Sequence, residues 1–288
     1  MFMKKFAFLI LLLPFVFFFS ADALELKSEL ARLKSTGGEY RFVVFGDNRS
    51  GDNIYKKIAG QALNSKPLFI VNTGDIIPNP GNREQWKNFW KISKDVNVPY
   101  FLTPGNHDIN SAQSEKVWRD EVDLPGLETY YSFEVGPDLF VVLNTCDPSN
   151  DRKIAGKQLI WLKRILTRGN YRNKFVFLHH PLFLWQDATH YQKSLDKYPA
   201  SRDELHRLFS KNAVNAVFVG HEHIYRDQGK LDGVHYFVTG GAGAPKYGKD
   251  SFNNLMVVDV YGNGVIAAKV LDKDGHLRDE PFIKMPQK

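Results

Sequence analysis

Apolar residues in this chain recur at two spacings. Continuous runs rich in Val, Phe, Ile and Leu, namely RFVVF (41–45), LFIVNT (68–73), KFVFL (174–178) and AVFV (216–219), read as strands buried on both faces. VPYFLTP (98–104) is a shorter run of the same kind, broken by prolines, and LFVVLNTC (139–146) is another. Between them, apolar residues fall three and four apart. Ile54–Leu63 has Ile54, Ile58 and Leu63; Glu84–Lys94 has Trp86, Phe89, Trp90 and Ile92. Gly156–Arg168 has Leu159, Leu162, Ile165 and Leu166, and Asp203–Ser210 has Leu205, Leu208 and Phe209. These spacings predict helices, and the charged segment Leu24–Glu39 is a candidate for one more short helix. Strand–helix alternation therefore fills the first three quarters of the chain.

The last part differs. Val234–Val238, Asn254–Val260 and Val265–Leu271 read as strands with no helix between them, and Tyr261-Gly262-Asn263-Gly264 reads as a tight turn. A mixed sheet with an antiparallel tail is expected. Asn110–Thr129 and Leu182–Ala200 carry the least regular pattern. Irregular stretches of that length beside a site often set specificity. Trp185, His190 and Tyr191 are the residues there best suited to touching a ligand, with ordinary loop packing as the alternative.

Five polar islands sit where the strand-like runs end: GDNR at Gly46–Arg49, GD at Gly74–Asp75, GNHD at Gly105–Asp108, HHP at His179–Pro181 and GHEH at Gly220–His223. Ligands of α/β proteins bind at the carboxyl ends of strands. One crevice could thus collect Asp, Asp, Asn, His and a His-x-His pair. Oxygen donors mixed with imidazoles suit a divalent transition metal. Any island alone is an ordinary turn; five in sequence, each after a strand, are not ordinary.

Composition adds limits. The chain has 288 residues, 43% hydrophobic and 24% charged, with no repeat, linker or compositional break. One domain from about residue 25 to 288 is expected. The start differs: MFMKK precedes a continuous apolar run, Phe6–Phe19, and Ala21-Asp22-Ala23 gives an A-x-A pattern before Leu24. Residues 1–23 therefore read as a secretory signal, and the protein as exported, periplasmic or extracellular. The run is short for a membrane span, which needs ~20 apolar residues, so an uncleaved anchor is the lesser alternative. The formal charge of +6 falls to +5 without residues 1–23, which favours anionic substrates. Lys and Arg are scattered, so no nucleic-acid partner is expected. Cys146 is the sole cysteine, which excludes an intrachain disulfide and reads as a buried strand residue.

In this order, GDNR, GD, GNHD, V-x-x-H-H-P and GHEH resemble the calcineurin-like metallophosphoesterase superfamily, which includes purple acid phosphatases and cyclic-nucleotide phosphodiesterases. Gln158 with Trp161-Leu162, and the glycine loop Thr239–Pro245, extend the resemblance. It implies a four-layer αββα sandwich of two mixed sheets flanked by helices. It also implies two transition-metal ions (iron, manganese or zinc), and hydrolysis of a phosphomonoester or phosphodiester by metal-bound hydroxide. By the same resemblance Asp75 bridges the ions, Asp47 and His223 serve the first, and Asn106, His179 and His221 serve the second. His107 would contact the phosphoryl or leaving-group oxygen, with Asp108 holding its ring. His179 rather than His180 fits both the V-x-x-H and H-x-P patterns, and adjacent strand residues point to opposite sides.

Two positions depart from the usual pattern. Arg49 stands where a D-x-H motif has its His, and a guanidinium has no lone pair for a metal. Arg49 would instead clasp a phosphate oxygen or form an ion pair, Asp52 being one nearby candidate. Pro78 replaces the tyrosine of purple acid phosphatases, so no tyrosinate–iron colour is expected. The alternative function is a metal- or phosphate-binding protein with a degenerate first metal site.

Overall fold

The computed structural model describes residues 21–249 and 251–285. The apolar run Phe6–Phe19, and with it most of the expected signal, lies outside the described residues. Helix α1 (Ala21–Lys34) leads into β1 (Tyr40–Phe45), α2 (Asp52–Asn64), β2 (Phe69–Asn72), α3 (Arg83–Ile92) and β3 (Tyr100–Leu102). Then come α4 (Ala112–Glu121), β4 (Tyr131–Val135), β5 (Asp138–Val142), α5 (Gly156–Thr167), β6 (Lys174–Leu178), α6 (Pro199–Lys211) and β7 (Ala216–Val219). The chain closes with β8 (Tyr225–Leu231), β9 (Val234–Thr239), β10 (Asn254–Val260), β11 (Ile266–Asp272), β12 (Leu277–Asp279) and β13 (Phe282–Lys284).

Two mixed sheets result. One has the order β12-β11-β10-β1-β2-β3, with β13 also on β11; the other has β4-β5-β6-β7-β9-β8. In the first, β1, β2 and β3 run parallel, and β10 joins β1 antiparallel. In the second, β5, β6, β7 and β9 run parallel. The expected antiparallel tail is therefore corrected in part. β10 and β11 form it, but β9 crosses to the other sheet and lies parallel to β7. A strand buried at every position, VHYFVT, belongs in the interior of a sheet rather than in a tail.

The two-residue period of the strands sorts the core. Phe140, Val142, Phe175, Phe177 and Phe218 join the cluster between the sheets, whereas Leu139, Val141, Val176, Leu178 and Val217 face α5 and α6 through Leu162, Leu205 and Phe209. Phe42 of β1 meets Phe140 edge-on at 5.3 Å, and Phe69 of β2 meets the same ring edge-on at 5.1 Å. On its other face the first sheet sets Phe45 against Tyr55 of α2, 6.1 Å between rings. The layers run helix, sheet, sheet, helix. That is the expected αββα sandwich, and it brings the carboxyl ends of both parallel sets to one edge.

Five helices and strands were not foreseen, the short strands β12 and β13 among them. α4 lies inside the supposedly irregular Asn110–Thr129; Ser111 caps it, with its hydroxyl on the Ser114 N–H. β4 pairs antiparallel with β5. β8 is an edge strand with mostly exposed residues. Among the described residues no helix is long and apolar enough to cross a membrane.

Candidate metal centre

Each polar island turns sharply off its strand. Asp47, Asp75 and His221 have φ of 57°, 56° and 70°, the left-handed region, immediately after Gly46, Gly74 and Gly220. Such a conformation in a residue with a side chain costs on the order of 1–3 kcal/mol, so three at adjoining strand ends mark a place where geometry outranks stability. The turns are stitched together by backbone bonds. Asp47 N donates to Gly74 O at 2.8 Å, Gly220 N to His179 O at 3.0 Å, and Ala242 N to Gly46 O at 2.9 Å.

Glycines let the turns approach the carboxylates. A Cβ on Gly220 or Gly240 would overlap Asp47, and one on Gly105 would overlap Asp75. Gly220→Ala is therefore expected to displace the Asp47 carboxylate and weaken metal binding ~10–100-fold. Gly60→Ala, in α2 with open space around it, should leave binding unchanged and stabilise the chain by ~0.5–1 kcal/mol. Chelator-competition titrations of both variants check this; equal affinity in the two would remove the role given to Gly220.

The six expected ligands converge. His179 Nε2 lies 3.3 Å from Asp75 Oδ1, 3.1 Å from Asn106 Oδ1 and 3.2 Å from His221 Nδ1. His223 Nε2 lies 3.5 Å from Asp47 Oδ1. Two of the three imidazoles are oriented from behind: His179 Nδ1 donates to Thr73 O at 2.9 Å, and His223 Nδ1 to Pro245 O at 2.6 Å, which directs both Nε2 atoms inward. Asp47 accepts the His221 N–H on both oxygens, at 3.1 and 3.0 Å. Asp75 Oδ1 accepts the His107 N–H at 2.9 Å.

Electrostatics fit a cation. Burial, with Asp75 close by, pushes the Asp47 carboxyl well above its usual range, although His179 and Arg49 oppose it. Burial also raises Asp75, but His179, His107 and Arg49 outweigh it and hold that carboxyl low. Two buried carboxylates this close repel, and a divalent ion between them relieves the repulsion. Burial and neighbouring imidazoles lower His221 and His180 strongly, and burial lowers His223. They are thus neutral, the form with a lone pair for a metal. Asp47, Asp75 and His223 form one group of donors within 4.8 Å of one another; His179, His180 and His221 form another. Asn106 completes the second group with a neutral oxygen. The residues present suit two metal ions.

Several expectations need correcting. His180 does not turn away from His179. Their rings stand 5.0 Å apart, because β6 ends at Leu178 and strand alternation no longer governs the next two residues. His180 Nδ1 is 2.8 Å from Thr145 Oγ1, and the ring lies 4.4 Å from that of His221. Asp108 does not hold the His107 ring. Its fully buried carboxylate instead accepts the backbone N–H groups of Asp75, Ile76, Ile77 and Gly105 at 2.8–3.1 Å. The ring of His107 is held by Pro78 O, 2.6 Å from Nδ1. Arg49 pairs with Asp75, Nε to Oδ2 at 3.1 Å, and not with Asp52, which takes the Asn88 amide.

Sequence reasoning missed other parts. Glu222, buried within GHEH, accepts the N–H groups of Thr189 and His190 and the His190 ring, at 2.6–3.2 Å. His190 is thereby laid 4.1 Å from the His221 ring, and the overhanging loop is tied to the centre. Tyr247, from the stretch after the glycine loop, stacks on His223 at 4.2 Å. Of the loop residues singled out, Trp185 lines a cavity of ≈310 Å³ with Arg226 over its ring, whereas Tyr191 is exposed. A cavity of ≈450 Å³, lined by Asn48, Pro78, Gln85 and Asn88, flanks the other side. Gln158 clamps Asn144 through its backbone N–H and carbonyl, 2.7 and 2.9 Å. Cys146 is buried, its thiol pushed up by burial, as befits an inert core residue.

The sequence profile of calcineurin-like phosphoesterases matches residues 40–225, from β1 to the strand after GHEH. The chain belongs to the calcineurin-like phosphoesterase family. Among curated relatives, the rat serine/threonine-protein phosphatase CPPED1 is 31% identical over 215 residues, 68% of this chain and 65% of that protein, just under two thirds of its length. A probable glycerophosphodiester phosphodiesterase, GpdQ of Arcobacter nitrofigilis, is 31% identical over 123 residues, 41% of this chain and 44% of that one. The solved purple acid phosphatase PPD1 of yellow lupin shares the fold, with a TM-score of 0.70 at 18% identity over 85% of this chain and 53% of its own. Dinuclear metal dependence is a property of this family, and the two donor groups provide for it here.

Proposed function

We propose that this protein is an exported, metal-dependent phosphoesterase that hydrolyses a phosphomonoester or phosphodiester. The observation that carries the reading is the convergence of Asp47, Asp75, Asn106, His179, His221 and His223 on one buried point, with the partly buried His107 beside it. Metal ions bound there would lower the pKa of a water and polarise the phosphoryl oxygens. The chain's own residues do the rest. Asp75 and Asp47 would hold the cations, the neutral Asn106 and imidazoles would leave the centre net positive for a phosphate, and the burial excludes bulk water. Because Pro78 O can only accept, His107 carries a proton on Nδ1, which leaves Nε2 as the atom that faces the leaving oxygen; it gives a proton there only when the ring holds a second one.

The names of the relatives, a protein phosphatase and a probable phosphodiesterase, support the ester class and span both substrate types. Export is supported by the A-x-A pattern after the apolar run. A binding protein with little catalysis has less support, since Asp75 and Pro78 hold His107 in place beside the donor groups, where metal binding alone does not need it. The test is metal analysis of the purified protein together with hydrolysis of p-nitrophenyl phosphate and bis-p-nitrophenyl phosphate in manganese, iron and zinc. Cleavage of one ester is expected, and which one is cleaved assigns the substrate type. Failure on both with every metal would sink the proposal.

A further inference from the structure

We propose that Arg49 is a built-in cation that takes over part of the charge of one metal ion. The chain then holds one divalent ion firmly, at Asp75, Asn106, His179 and His221, and a second only weakly, at Asp47, Asp75 and His223. The inference rests on the metal-centre reading above and deepens it. Asp75, the carboxylate expected to be shared, has its two oxygens divided. Oδ1 faces His179 Nε2 at 3.3 Å, whereas Oδ2 receives Arg49 Nε at 3.1 Å. Arg49 is only 17% exposed, and its own N–H donates to Asp75 O at 3.1 Å, so both backbone and side chain keep it there.

The consequence follows from lone pairs and charge. A His at position 49 would bring a neutral donor to the ion served by Asp47 and His223; Arg49 brings none and adds a positive charge. Asp47 and Asp75 supply two negative charges, so one divalent ion with Arg49 leaves the centre modestly positive. A second ion must be placed beside a guanidinium in a buried pocket and must share its bridging oxygen with it. The other locus meets no such competitor at its Asp75 oxygen, because His179 approaches Oδ1, away from the Arg49 bond on Oδ2, and Asn106 and His221 gather around His179 Nε2.

The decisive experiment is calorimetric titration of chelator-stripped full-length protein with Zn²⁺. Wild type should show two unequal steps, the second weaker by at least ~10-fold. Arg49→His should tighten the second step by ~10-fold or more, and Arg49→Met, which removes charge without adding a donor, should tighten it less. Two equal sites in wild type would overturn the inference while leaving the metal centre standing. An unchanged second step in both variants would do the same. Absence of any Zn²⁺ binding would remove the centre and the inference together. The wild-type isotherm decides even where a variant does not fold.

Discussion

Asp75→Asn is expected to reduce phosphoester hydrolysis on the order of 10³-fold, the upper range for removing one preorganised electrostatic group, while leaving the fold intact. The amide keeps an oxygen to accept the His107 N–H, now at 2.9 Å from Oδ1. It loses the charge that attracts cations to both donor groups. In the metal-free chain two changes oppose each other. Arg49 loses its ion-pair partner, but the repulsion that lifts the Asp47 carboxyl is relieved. The melting temperature without metal should therefore stay within a few degrees of wild type. The rise on adding Zn²⁺, which measures binding to the native state alone, should shrink or vanish. Full activity in the variant would refute Asp75 as the shared ligand. A collapsed melting temperature without metal would mean that Asp75 serves the fold instead.

Why the metal centre was legible in the sequence while its supports were not comes down to distance along the chain. RFVVF, KFVFL and AVFV announce themselves because strands inside a sheet are apolar on both faces. β8, YRDQGKL, gives no such signal: it pairs only with β9 at the sheet edge, and its residues are mostly exposed. α4 hides for a related reason, since only Ser114, Val117 and Trp118 are buried among its ten residues. The polar islands carry their chemistry in residue type, so Asp47, Asp75 and His221 could be picked out before their backbone was known. What holds each side chain could not. The oxygen that fixes His107 belongs to Pro78, 29 residues away and past the Gly74–Asp75 island, and the carboxylate that places His190 is Glu222, 32 residues away. Backbone carbonyls have no sequence signature. Adjacency misled in suggesting that Asp108 serves its neighbour His107, and again in offering Asp52 as a partner for Arg49.

Asp108→Ala is expected to destabilise the chain by more than ~4 kcal/mol, a cost found only where a buried polar network is broken. Four N–H groups meet this one carboxylate: Asp75 and Gly105 on Oδ2, Ile76 and Ile77 on Oδ1. Asp108 is fully buried, so the alanine leaves those donors with neither a partner nor water, at about 1–3 kcal/mol each. Burial and the nearby Asp75 push its carboxyl well above the usual range, and the N–H groups of Gly105, Ile77 and Ile76 offset this only in part. Only the ionised form satisfies all four donors, since a proton on either oxygen would point at an N–H. Asp108→Asn should fall between alanine and wild type, because its amide keeps one acceptor but turns an NH₂ toward two of the donors. Urea denaturation of the metal-free proteins measures both. The discriminating readout is kcat/KM well below the unfolding transition. If Asp108 acted on the His107 ring, Asp108→Asn would lose activity while retaining its stability. As the tie between the Asp75 and Asn106 turns, it should lose stability first, and with it the spacing of the ligands those turns carry.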